Sequence, residues 1–71
     1  MLRDEIQGEL VEARKVLRAM ISQHQRRVEE RPHRPDEEGW RWLMSRESSD
    51  IRQQALEVTV LREMLAALNE R

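Results

Sequence analysis

Two long amphipathic stripes, a proline-bracketed break between them and the absence of strand-like alternation predict an all-α chain, folded as an antiparallel helical hairpin of two long helices. The first stripe is Ile6, Leu10, Ala13, Leu17, Met20 and His24. The second is Trp40, Met44, Glu47, Ile51, Gln54, Val58, Leu61, Leu65 and Leu68. Every step is three or four residues, the repeat that keeps side chains on one face of a helix. Between the stripes stands Arg31-Pro32-His33-Arg34-Pro35.

The spacing places the first helix over 2–30. Asp4 and Glu5 fall in its first turn and Arg26, Arg27 and Arg31 near its end, each sign opposing the nearby pole of the helix dipole. Gly8 is its weak position, costing about 1 kcal/mol relative to alanine. Pro32 lacks a backbone donor and disfavours helical geometry at Arg31, which sets the turn over 31–35. Pro35-Asp36-Glu37-Glu38 opens a second helix over 35–69, with a proline suited to the first helical position and three acids behind it. Within it, Ser45-Arg46-Glu47-Ser48-Ser49-Asp50 reads locally as a break with a new N-cap before Ile51. The stripe nevertheless crosses this stretch in phase, so one continuous helix is expected, with a kink or break near Ser48 as the alternative. At about 1.5 Å per residue the helices would be about 43 and 52 Å long, close enough to lie side by side.

Folding about His33 sets Ala13 near Gln54, Leu10 near Val58, Ile6 near Leu61, and His24 against the Met44–Glu47 turn. Polar residues at otherwise apolar seam positions can set register at a cost in stability; Glu47 and Gln54 either do this or border a leaky seam. Apolar residues are left over. Val11, Val16, Ile21 and Val28 are expected to flank the first stripe, and Leu56, Val60, Met64 and Ala67 form a second row. An apolar surface this wide calls for another helical layer, through dimerisation into a four-helix bundle or through a partner protein.

With 71 residues the chain makes a single domain over 1–71 that buries little surface by itself. It has no cysteine to add a disulfide or thiolate metal site. Thirteen basic and fourteen acidic residues leave a net charge of −1, which argues against bulk attraction to nucleic acid or an anionic membrane. No stretch is long and apolar enough to span a membrane, and Met1–Glu5 carries acids where a signal peptide needs an apolar run. The expectation is a cytoplasmic protein.

No constellation in the sequence carries a chemistry. Two His nine residues apart across a proline make a poor metal site. The acids lack the Glu-x-x-His pattern of a bundle di-metal centre, and no serine sits in a glycine-rich elbow. Neither enzyme activity, cofactor, metal nor small-molecule substrate is expected. Trp40 and Trp42 project about 200° apart on a helix. Trp40 continues the seam as a plug, with Arg27 as a candidate cation–π partner. Trp42 projects outward beside Arg34 and Arg41 as a second binding surface, since an exposed tryptophan is a common interface anchor. The Arg-rich turn could contact phosphates or bases, although Glu29, Glu30 and Asp36–Glu38 screen it.

The stretch Trp42-Leu43-Met44-Ser45-Arg46-Glu47-Ser48, followed by a Leu/Val-rich helix, is similar in outline to the small helical-hairpin co-chaperones of type III secretion systems. Rop-like dimeric hairpins and phage-encoded inhibitors share this outline, so the resemblance selects no family. The expected function is a non-catalytic protein–protein interaction module of adaptor, inhibitor or co-chaperone type. It would bind itself or a protein partner through Val11, Val16, Leu56, Val60, Met64 and Leu68. The alternative is a small nucleic-acid-binding regulator using the Arg-rich turn.

Overall fold

The computed structural model describes residues 1–30 and 37–70, in two helices: α1 (Leu2–Glu29) and α2 (Glu37–Asn69). They pack antiparallel as one long pair, with extents of 57 × 15 × 14 Å across the Cα atoms. The N–H groups of Asp4 and Glu5 donate to Met1 O at 3.1 and 3.2 Å, closing the first turn of α1. At its other end Glu30 N–H donates to Arg26 O at 2.9 Å, one residue short of the expected boundary. The expected turn over 31–35, including Arg34, and the expected helix start at Pro35 lie outside the described residues.

α2 is helical without interruption from Glu37 to Asn69. The break considered near Ser48 does not form. Ser45, Ser48 and Asp50 favour caps locally, but α1 holds the seam residues on either side of them, and tertiary packing outweighs a weak propensity.

One seam holds the pair together. Ile6, Ala13, Val58 and Leu61 are buried, and Leu10, Leu17, Leu65 and Leu68 pack half-buried against them. Trp40 is buried toward the turn end. Two polar ties lock the register. Gln54 Nε2 donates across the seam to Ala13 O at 3.0 Å, where the small alanine leaves room for the amide. Nearer the turn, His24 Nδ1 lies 3.2 Å from Glu47 Oε1, and Arg27 Nε donates to Glu47 Oε2 at 2.9 Å. Glu47 and Gln54 are therefore bonded members of the seam. Arg27, expected over Trp40, goes to this carboxylate, because a charge-assisted hydrogen bond outweighs a ring-face contact.

Candidate interaction surfaces

With the seam satisfied, the remaining large apolar side chains face outward. On α2, Leu56, Val60, Met64 and Ala67 step by four, four and three residues, and all four are exposed. At about 100° per residue, Leu56 and Val60 point about 160° from the buried Val58, so this row occupies the side of α2 away from α1. Trp42 lies on the same meridian, joined to the row through Arg46, Ser49 and Gln53. It is 62% exposed, with Arg46 Cζ 5.4 Å from its ring centroid. This i,i+4 pairing was readable from spacing alone, yet Arg41 and Arg34 were the expected neighbours. Arg41 is exposed about 100° around the helix from Trp42. The tryptophan and the Leu56–Met64 row thus belong to one face, where two separate surfaces were expected.

The other expected interface residues do not join that face. Val11 points about 160° from Ala13, onto the outer side of α1, where it shares a shallow depression with Arg14, Lys15 and Arg18. It does not flank the seam, because two residues before Ala13 is more than half a helical turn. Val16 lies on a flank, in a groove between the helices that is also lined by Glu9, Glu12, Gln54 and Glu57. Leu68 is half-buried against the core and belongs to the seam. The six-residue patch expected from the sequence is divided among the outer side of α1, one flank, the core and the outer side of α2.

The flanks carry an organisation of their own. On α1, Glu5, Glu9 and Glu12 fall to one side of the seam, and Arg3, Arg14 and Arg18 to the other; on α2, Asp50 and Glu57 stand opposite Arg41, Arg52 and Arg62. Antiparallel packing brings the two acidic sides together, as the groove shared by Glu9, Glu12 and Glu57 shows. Arg3, Arg14, Arg18, Arg41, Arg52 and Arg62 consequently share the opposite flank, whereas Arg27, on the acidic side of α1, is bonded to Glu47. Apart from Arg27 and Glu47, only Glu12 of these residues forms an ion pair among the described residues, with Lys15 at 3.5 Å. Both partners of that pair are solvent-exposed, where such contacts are weak.

Among the described residues no cluster of His, Cys, Asp or Glu could hold a metal ion. No described helix is long and apolar enough to cross a membrane. Comparison with family models, with curated proteins and with solved structures found no match.

Proposed function

We propose that the chain is a non-catalytic protein–protein interaction module of adaptor, inhibitor or co-chaperone type, and that the outer face of α2 receives an apolar helical surface. The observation that carries this reading is unspent surface. A compact monomer of 8.6 kDa is expected to expose about 4,700 Å², whereas the hairpin exposes 6071 Å². The excess of roughly 1,400 Å² exceeds the share of about 800 Å² that each partner contributes to a standard stable interface. Leu56, Val60 and Met64 are exposed on the outer face of α2, with Trp42 as an aromatic anchor on the same meridian. A partner helix laid along this row meets residues at helical spacing. A second copy packed α2 against α2 would give a four-helix assembly.

The test is concentration. Because binding stabilises the folded state by mass action, diluting the protein with its partner or with itself lowers the melting temperature, and Val60→Asp removes that dependence. A Val60→Asp protein that keeps both its concentration-dependent melting and its partner would count against the outer face of α2.

Nucleic-acid contact is a second reading, and the arginine flank favours it. Retention on DNA that falls steeply with salt would support it; the acidic flank and the net charge of −1 oppose it.

A further inference from the structure

The two flanks carry opposite charge at nearly the same height along the hairpin. The Gln54–Ala13 bond fixes the levels. Counting from it along the antiparallel pair, Arg52 falls between Arg14 and Arg18, and Glu57 falls between Glu9 and Glu12. Each flank also carries apolar surface beside its charges: Val16 in the acidic groove and Ile21 on the basic side, both exposed.

From this arrangement we infer that the flanks bind one another between copies, the basic flank of one hairpin seated on the acidic flank of the next. The occupant is a second copy of this chain, because the chain itself presents both halves of the complementarity. A two-fold dimer through either flank is disfavoured. These charges lie near mid-height, so a symmetry axis there would set Arg14, Arg18 and Arg52 against their own copies, or Glu9, Glu12 and Glu57 against theirs. Pairing basic flank to acidic flank removes both conflicts. Such a contact is head-to-tail: every added copy leaves one flank free at each end, so the assembly grows beyond two or closes as a ring. Centring the arginines on the carboxylates displaces successive hairpins by about five residues, or about 8 Å along the axis. The inference rests on the reading of the chain as a protein–protein module and centres on the charged flanks, of which the acidic one adjoins the outer row of α2 where Glu57 and Val60 are neighbours three residues apart.

Sedimentation velocity across a salt series tests it on the unaltered chain. At low ionic strength, where screening extends to about 30 Å at 10 mM, species larger than two copies are expected. They should shrink as the screening length falls to about 3 Å near 1 M. Charge reversal then identifies the surface. Arg14→Glu/Arg18→Glu/Arg52→Glu makes both flanks acidic, and Glu9→Lys/Glu12→Lys/Glu57→Lys makes both basic. Each variant alone should stop at two copies or fewer, and an equimolar mixture should recover the large species by alternation. Wild-type protein that never exceeds two copies at any salt overturns the inference, as does a mixture of folded variants that fails to reassemble. Salt-steep binding of the basic flank to DNA by a chain that does not self-associate also overturns it, in favour of a nucleic-acid partner. Trp42→Ala separates the two proposals, since Trp42 stands on the outer row far along α2 from Glu57: it should leave the salt-dependent species intact while weakening contacts through the outer row.

Discussion

Replacing each tryptophan in turn by alanine should have very different consequences. Trp40 is 7% exposed, against 62% for Trp42. A buried aromatic side chain withdraws roughly 150–250 Å² from water. At about 25 cal/mol per Å² that sets an upper limit of about 4–6 kcal/mol for Trp40. In a structure only two helices wide, neighbouring side chains and water relax into part of the vacated space, so Trp40→Ala should cost about 3 kcal/mol. Trp42→Ala forfeits an exposed cation–π contact with Arg46, worth about 0.5 kcal/mol. It regains about the same from the higher helix propensity of alanine, and the net change should fall within about 0.5 kcal/mol of zero. Urea denaturation followed by far-UV circular dichroism measures both, at one fixed low protein concentration so that association does not enter. In a domain of this size a loss of 3 kcal/mol lowers Tm by about 12–24 °C. Equal losses from the two substitutions, or a loss under about 1 kcal/mol at Trp40, would refute the assignment of Trp40 to the core and Trp42 to the outer face.

Substitutions at two further positions probe α1 and the seam. A Cβ at Gly8 meets no atom within 4 Å, so Gly8→Ala should stabilise the hairpin by about 1 kcal/mol, through helix propensity and a less flexible unfolded chain; an unchanged or lower denaturation midpoint would show that the position is constrained in a way its surroundings do not reveal. Glu47→Ala removes the acceptor of both Arg27 and His24. Because Arg27 is 43% exposed, its share is discounted for solvent screening, and the total cost should be about 1–2 kcal/mol. Glu47→Leu should recover most of that loss by extending the apolar seam, with the same denaturation measurement as the check.

The helices and the face each turns inward could be read from the sequence, since a three-or-four repeat states which side chains share a side whatever the helix later packs against. Two stripes joined by a short break then leave essentially one antiparallel pairing. For that reason the sequence alone sets Gln54 opposite Ala13 and Glu47 opposite His24. It also sets the exposed row of Leu56, Val60 and Met64, which follows from its angle to Val58. Continuity through Ser48 was the weakest of these readings, because local capping signals opposed the periodicity and only packing against α1 decides between them. Other features belong to the tertiary structure alone. Arg27 had two partners within plausible reach, an indole ring and a carboxylate, and the distance between the helices makes the choice. The charged flanks are the clearest case. Glu12 and Glu57 are far apart in the chain, and each helix by itself shows only charges on either side of a stripe. When two right-handed helices pack antiparallel, the sides lying in the same rotational sense from each seam come to the same edge. That geometric fact gathers Glu9, Glu12 and Glu57 on one flank and Arg14, Arg18 and Arg52 on the other.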